Sequence, residues 1–186
     1  SLTRTVNTYA EVIAQFSINS GCNPLIINNF NNTSIGADSY SWDFGDGQNS
    51  NEEYPEHTFV NINNTTDQTY TVKLHAESEY TCYDDTVTTI SVYHTPSAKF
   101  QIQTSANCSP LNILITNQAS GADSIVWDFN DGGEVLTSSA PSISHLFVNQ
   151  TGSTISYDVM QKTYTENGCV DSVSRKATVY SEVIAK

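Results

Sequence analysis

The stretch YSWDFGDG at residues 40–47 decides the fold, because a close copy of it, IVWDFNDG, returns at residues 125–132. The preceding residues match as well, since Gly-Ala-Asp-Ser occupies both 36–39 and 121–124. The two tryptophans of the chain, Trp42 and Trp127, therefore hold one position of a duplicated unit. A unit of this length is a whole small domain, because solenoid repeats are shorter.

The duplication extends over most of both halves of the chain. Equivalent positions of the two repeats are Cys22 and Cys108, His57 and His145, and Cys82 and Cys169. This register predicts four segments: the terminal strand of a preceding repeat at 1–9, repeat 1 at 10–96, repeat 2 at 97–180, and the start of a linker at 181–186.

The two ends of the chain resemble each other. YAEVIA at residues 9–14 is similar to YSEVIA at 180–185. We therefore expect an excerpt from a longer tandem array, in which neighbouring repeats of the same chain are the partners. The alternative is a two-domain protein with similar flanking segments.

Composition excludes several classes of function. The chain carries a net charge of −13 over 186 residues, and Lys73 is the single basic residue in the range 10–97. Nucleic-acid binding requires a basic surface, so no nucleic-acid partner is expected. No run approaches the 18 apolar residues of a membrane span, which predicts no membrane insertion. Abundant Ser, Thr and Asn are typical of an extracellular β protein.

Alternation of apolar and polar residues predicts strands. Tyr70, Val72, Leu74 and Ala76 alternate with polar residues, as in a strand with one buried face. No segment has a helical period with caps. Short strands repeated in a unit of this size predict an all-β fold of two β-sandwiches.

The second repeat departs from this pattern in one strand. Gln161 and Thr163 stand where the first repeat has Leu74 and Ala76. Two arrangements stay open. Either the lower end of this strand is exposed, or Met160 and Tyr164 turn inward after a β-bulge.

The repeated motif has a structural interpretation. Its tryptophan and phenylalanine share one strand face and are predicted to anchor the core. The first aspartate points away and can accept N–H groups of the following turn. The second precedes glycine in a turn dipeptide. The glycine between them is expected at positive φ, which the asparagine of the second repeat tolerates. These positions are Trp42, Asp43, Phe44, Gly45 and Asp46, and Trp127, Asp128, Phe129, Asn130 and Asp131.

The same aspartates are candidates for a cation site. Asp43, Asp46 and Glu52 in one repeat, and Asp128, Asp131 and Glu134 in the other, offer carboxylates of the type that Ca²⁺ prefers. The acids lie three residues apart and lack the full signature of a calcium loop. We therefore expect no cofactor and no metal, with Ca²⁺ as the alternative.

Together these residues resemble a known family. The run YSWDFGDG, followed by PEHTF at 55–59 and YTVKL at 70–74, is similar to the polycystic-kidney-disease (PKD) domain. The resemblance covers both repeats, with Asn130 replacing the glycine of the motif. It implies two tandem immunoglobulin-like sandwiches of about seven strands each. It also implies an extracellular spacer or adhesion module, as in polycystins, surface-layer proteins and secreted bacterial hydrolases.

The sequence resembles one subgroup of the family more closely than the family as a whole. Cys-x-Pro before the second strand and NGCVDS at 167–172 are similar to repeats in giant surface proteins of gliding Bacteroidetes, which the type IX system exports. This resemblance implies a segment of a cell-surface adhesin or filament, attached to the outer membrane and serving gliding motility or attachment. Surface glycans or proteins are then further candidate partners.

Two cysteines per repeat in a secreted protein predict disulfides. One pairing lies within repeats: Cys22 with Cys82, and Cys108 with Cys169. The immunoglobulin-like topology would put the members of each pair at opposite ends of the domain, farther apart than the 7 Å limit between Cα atoms. The alternative joins Cys22 to Cys169 between repeats and leaves Cys82 and Cys108 for cysteines outside the chain. Both pairings stay open.

The sequence holds no catalytic constellation. No nucleophile with a base, phosphate loop or converging carboxylate pair is recognisable, so we expect no enzyme. His57 and His145 are interpreted as strand histidines packed near the core. The alternative function is a polysaccharide- or protein-binding module of a secreted hydrolase, for which Tyr54, Tyr80 and Tyr83 could form an exposed aromatic stripe.

Overall fold

The structure, a computed structural model, describes residues 8–63, 65–104 and 107–181. The chain divides into two compact units, and the main division falls between Tyr93 and His94. The terminal strand predicted at 1–9 lies outside the described residues except for its last two positions. The linker predicted at 181–186 lies outside them except for Ser181.

The first unit is built from two β-sheets. Strands β1, β7, β6, β3 and β4 form one sheet in that order, and β2 pairs with β5 in the other. Isolated bridges join Ile13 to Ile35 and Phe16 to Asn32. The strands are β1 Gly21–Cys22, β2 Leu25–Ile27, β3 Ser39–Asp43, β4 Asn49–Ser50, β5 His57–Phe59, β6 Gln68–Glu77 and β7 Tyr83–Tyr93.

The second unit repeats the two-sheet plan. Strands β11, β10, β13 and β14 form one sheet, and β12, β9 and β8 form the other. The strands are β8 Phe100–Thr104, β9 Leu111–Asn117, β10 Ser124–Asp128, β11 Leu136–Thr137, β12 Ser142–Phe147, β13 Ile155–Tyr164 and β14 Val170–Val179.

Each unit has one apolar core between its two sheets. In the first, Trp42 and Leu74 of the larger sheet are buried in one cluster with Phe59 of the smaller. In the second, Trp127 and Ile113 are buried together in the same way. Side chains that meet between two sheets define a sandwich. The described residues contain no helix, and so none that is long and apolar enough to cross a membrane. The predicted all-β class is confirmed.

Strand β13 carries the polar residues that break the apolar–polar pattern of the second repeat, and it takes neither of the two expected arrangements. Gln161 and Thr163 are fully buried, so the lower end of the strand is not exposed. The register with β14 runs unbroken from Ile155 to Tyr164, so no bulge turns Met160 and Tyr164 inward. Gln161 Nε2 donates to Asn117 Oδ1 at 2.9 Å. Both alternatives were wrong because the Gln161 amide nitrogen finds a hydrogen-bond acceptor inside the core.

Gln161 is only half satisfied, and this predicts a stabilising substitution. Its Oε1 is buried without a hydrogen-bond partner, and such an atom costs about 1–3 kcal/mol. Gln161→Leu removes it, while Asn117 Oδ1 still accepts the Ala119 N–H at 3.1 Å. We expect the unfolding free energy of the second unit to rise by ~1 kcal/mol. Hydrogen exchange of the β13 amides measures this in the intact chain.

The reverse substitution is the matched control. Leu74 holds the equivalent place in β6 and is fully buried, so Leu74→Gln should lower the unfolding free energy of the first unit. A lower stability in the Gln161→Leu variant would show instead that the buried amide supports the second core.

Candidate functional site: the repeated Trp-Asp-Phe turn and the cysteines

The tryptophan of the motif anchors each core. Trp42 is 1% exposed and meets Phe16 edge-on at 5.0 Å between ring centroids. Its Nε1 donates to Glu52 O at 2.9 Å. Trp127 repeats both contacts, with Phe100 at 5.2 Å and Ser138 O at 3.0 Å. In each unit the indole N–H is therefore hydrogen-bonded to the segment that follows the motif. The tryptophan holds this segment in place and also fills the core.

The first aspartate closes the turn. Asp43 Oδ1 accepts the Gly45 N–H at 2.9 Å, and Asp128 Oδ1 accepts the Asn130 N–H at 2.8 Å. Gly45 and Asn130 both have positive φ, at 79° and 51°. The two aspartates thus form Asx-turns, the arrangement that the motif predicts.

The second aspartate binds the motif histidine. Asp46 Oδ2 lies 2.7 Å from His57 Nε2, and the His57 ring stacks on Phe44 at 4.1 Å. The second unit has the same arrangement: Asp131 Oδ2 lies 2.7 Å from His145 Nε2, and the His145 ring stacks on Phe129 at 3.7 Å. Each histidine therefore joins the motif to the opposite sheet. The sequence reasoning placed the histidines near the core but missed their aspartate partners, although both residues recur in each repeat.

The candidate calcium carboxylates are used in other contacts. Asp46 and Asp131 bind histidines, and Asp43 Oδ2 lies 3.9 Å from Lys73 Nζ. Within residues 8–63, 65–104 and 107–181, no three His, Cys, Asp or Glu side chains are grouped so that they could hold a metal ion. The structure therefore does not bring the sequence-predicted carboxylates together.

The Asp131 contact predicts a pH dependence. Burial alone would raise the pKa of Asp131, but hydrogen bonds from His145 and the Gly133 N–H outweigh it and lower that pKa. A lowered pKa in the folded state stabilises the second unit above the unfolded-state pKa of about 3.9. This stability is lost as the pH falls through the folded-state pKa. We expect the urea midpoint of the second unit to fall less between pH 6 and pH 3 in Asp131→Asn than in the parent chain. Equal pH profiles would contradict this role.

The cysteines of one repeat lie at opposite ends of its last strand. Cys22 pairs with Tyr93, the last residue of β7, whereas Cys82 directly precedes its first residue, Tyr83. An eleven-residue strand spans about 36 Å. Cys108 bridges to Tyr180, just beyond β14, whereas Cys169 directly precedes that strand. The within-repeat pairs are thus excluded, because a disulfide needs Cα atoms within about 7 Å.

The four cysteines differ in state. Cys22 and Cys169 are disulfide-bonded, whereas Cys82 and Cys108 are free thiols. Cys82 is half-buried and Cys108 is exposed. A disulfide in an all-β module is typical of an extracellular protein.

A family model matches the first unit. Residues 9–92 match the model described as the PKD domain. This match supports a PKD domain in that part of the chain, which is consistent with a non-catalytic extracellular module.

Three solved structures are similar to the chain as a whole. Fibronectin(III)-like modules of Clostridium thermocellum CbhA align at 13% identity and a TM-score of 0.39, over 92% of this chain and 94% of that one. An amphioxus IgVJ-C2 molecule aligns at 11% identity and a TM-score of 0.29, over 92% of this chain and 98% of that one. Protocadherin Gamma B7 extracellular cadherin domains 1–4 align at 9% identity and a TM-score of 0.33, over 91% of this chain and 49% of that one. With scores this low, the fold assignment rests on the strand pairing of each unit.

Proposed function

We propose that this chain is a non-catalytic structural segment of a long extracellular bacterial surface protein, an adhesin or filament that serves attachment or gliding motility. Its units are tandem PKD-type sandwiches, its immediate partners are neighbouring repeats, and its parent protein is anchored at the outer membrane after type IX export. The observation that carries this proposal is the path of the chain through each unit.

The first unit is entered at one end and left at the other. The Ala14 N–H donates to Asp84 Oδ2 at 2.8 Å, at the start of β7. The entering segment then follows β7, since the Ser91 N–H donates to Ser20 Oγ at 2.9 Å and Cys22 pairs in parallel with Tyr93. The two ends of the unit are therefore about one β7 length apart, roughly 36 Å.

The second unit repeats this path. The Ala98 N–H donates to Asp171 Oδ2 at 2.8 Å, near the start of β14. The Tyr180 N–H donates to Asn107 O at 2.7 Å at the other end. The two ends of the second unit are thus also separated by about the length of its last strand.

The same path sets the response of a unit to tension. A pull on both ends slides the entering segment along the last strand, so the contacts between them are loaded together rather than one by one. This parallel arrangement suits a module that transmits tension. The hydrogen bond from the Ala14 N–H to Asp84, here called the clamp, lies at its start and can be removed by one substitution.

Asp84 and the adjacent Asp85 test the clamp. Asp84→Ala leaves the Ala14 N–H without its carboxylate acceptor, and a hydrogen bond to a charged group contributes about 1.5–3 kcal/mol. We expect the unfolding free energy of the first unit to fall by ~1–2 kcal/mol in urea, measured on the reduced protein. Asp85→Ala is the control, because Asp85 lies on the exposed face beside His75 and should change it by less than ~0.5 kcal/mol. Equal losses in both variants would contradict the clamp.

We further propose that the disulfide joins Cys22 to Cys169 and so binds neighbouring repeats covalently. The separation of the two cysteines within the first unit supports this pairing, because it is about the length of β7 and a disulfide needs Cα atoms within about 7 Å. Proteolysis under non-reducing conditions, followed by mass spectrometry, should recover one peptide that contains both cysteines. Recovery of Cys22 with Cys82 would overturn the pairing.

Surface labelling tests the proposed location. Antibodies raised against the folded chain should label intact source cells, and protease added outside the cells should remove the label. Label that appears only after permeabilisation would contradict the extracellular proposal.

A binding module of a secreted hydrolase is the second candidate, and one feature favours it. Tyr80 and Tyr83 are 52% and 64% exposed, and Tyr80 stacks on Tyr9 at 4.1 Å. Tyrosine rings combine an apolar face with a polar hydroxyl and are enriched at interfaces. Tyr54 is also exposed, at 54%. Binding to a glycan array that Tyr80→Ala abolishes and Tyr54→Ala preserves would favour this candidate over the structural one.

A further inference from the structure

The first cysteine of each repeat holds the same place in its unit. Cys22 pairs in parallel with Tyr93, the last residue of β7. Cys108 forms a parallel bridge with Tyr180, the residue after β14. Both therefore lie at the end of the unit where the chain leaves.

The second cysteine of each repeat is also equivalent. The Cys82 N–H donates to Ser78 Oγ at 3.2 Å, and the Cys169 N–H donates to Thr165 Oγ1 at 3.1 Å. Each of these cysteines directly precedes the last strand of its unit. Both therefore lie at the end where the chain enters.

Each equivalent pair contains one bonded and one free cysteine. Cys22 is bonded and Cys108 is free, whereas Cys169 is bonded and Cys82 is free. We infer that Cys108 of one copy forms a disulfide with Cys82 of the next copy, so that the same bond repeats from copy to copy. This inference rests on the proposed function, because it extends the Cys22–Cys169 bond to the next repeat in the array.

The surroundings of both thiols suit a second copy of this chain. Cys82 borders an open groove between Tyr9–Ile13 and Thr81–Asp84, in which Tyr9 and Tyr83 are exposed. Cys108 is exposed beside Tyr180, which is 48% exposed. A second copy that binds at either thiol would therefore cover exposed tyrosine side chains together with the thiol.

The linkage is formed by thiol–disulfide exchange. The thiolate of Cys108 attacks a small-molecule disulfide, forms a mixed disulfide and releases one thiolate. The Cys82 thiolate of the next copy then attacks the Cys108 sulfur and releases the second thiolate. Two cysteine thiols are oxidised and one small disulfide is reduced, and the two protons that the cysteine thiols give up are taken up by the two released thiolates.

The geometry of this bond gives it a direction. Cys108 lies where the second unit ends and Cys82 where the first unit begins, so the contact joins two different surfaces. Such a heterologous contact produces open chains of copies when its rotation does not close a ring. Copies of this chain should therefore join head to tail, as consecutive repeats would in the proposed array.

Two variants test the direction of the bond. Cys82→Ser keeps only the Cys108 thiol, and Cys108→Ser keeps only the Cys82 thiol, while Cys22 and Cys169 stay intact in both. The variants are isotopically distinguished, mixed in equal amounts and oxidised with oxidised glutathione. Non-reducing electrophoresis and mass spectrometry then count the dimers. The mixed dimer should exceed each homodimer by about twentyfold or more, which is about tenfold above the random ratio of two, a preference worth about 1.4 kcal/mol.

Every other distribution overturns the inference. Random collision gives a mixed dimer only twice as abundant as each homodimer, and an inaccessible thiol gives no dimer. The same digests report the Cys22–Cys169 peptide. If that peptide is recovered without an excess of mixed dimer, the head-to-tail linkage fails while the proposed function stands.

Discussion

Trp42→Ala is expected to lower the unfolding free energy of the first unit by about 3–5 kcal/mol, the range for removing a buried aromatic side chain. Trp42 is 1% exposed and lies against Phe16 and Phe30, with ring centroids 5.0 and 5.4 Å away. Its loss opens a cavity between the sheets and leaves Glu52 O without the indole donor. Domains of this size have only about 5–15 kcal/mol of stability, so the unit loses a large share of it.

Hydrogen exchange of the intact, reduced chain measures this effect by unit. Exchange should accelerate for the amides of β3, β6 and β7. Tyr54→Ala is the control, because Tyr54 is 54% exposed and its removal should change stability by less than ~0.5 kcal/mol. A loss below about 1 kcal/mol in Trp42→Ala would show that the motif is not the anchor of its core.

Gly45→Ala is expected to destabilise the first unit by ~2–4 kcal/mol. Gly45 has a φ of 79°, which L side chains rarely adopt, and an added Cβ would lie 2.5 Å from Thr71 O. The cost therefore combines backbone strain with the displacement of β6, the central strand that carries Val72 and Leu74.

Two further substitutions separate these causes. Gly47 also has a positive φ, 91°, but an added Cβ there meets no atom within 4 Å, so Gly47→Ala should lower the unfolding free energy by only ~1 kcal/mol. Gly45→Asn introduces the residue that the second unit uses, where Asn130 Nδ2 donates to Asp158 O. It should cost less than Gly45→Ala in a urea titration. Equal costs at Gly45 and Gly47 would rule out the contact with Thr71.

The repeat and its periodicity were sufficient to predict the elements of the fold. Alternation placed Val72, Leu74 and Ala76 on one buried face, and all three are fully buried. The turn was also readable, because the motif aspartate can reach the N–H two residues later by local geometry alone. Predictions of this kind depend on contacts between residues close in sequence.

The remaining features depend on contacts between distant segments. Gln161 is buried because its amide meets Asn117 from another strand, and an apolar–polar pattern gives no sign of such a partner. The His57–Asp46 contact likewise needs two sheets to meet. The separation of Cys22 from Cys82 was predictable only after the immunoglobulin-like resemblance supplied the strand directions.

Single-molecule stretching of the oxidised chain from its two ends tests the central claim most directly, namely that this is a structural segment whose neighbouring units are covalently joined. With Cys22 bonded to Cys169, the residues between them cannot extend, and addition of a reductant should release on the order of 500 Å of further length. The Cys22→Ser variant should give the longer extension without reductant. An oxidised parent chain that extends as far as the reduced one would contradict the claim.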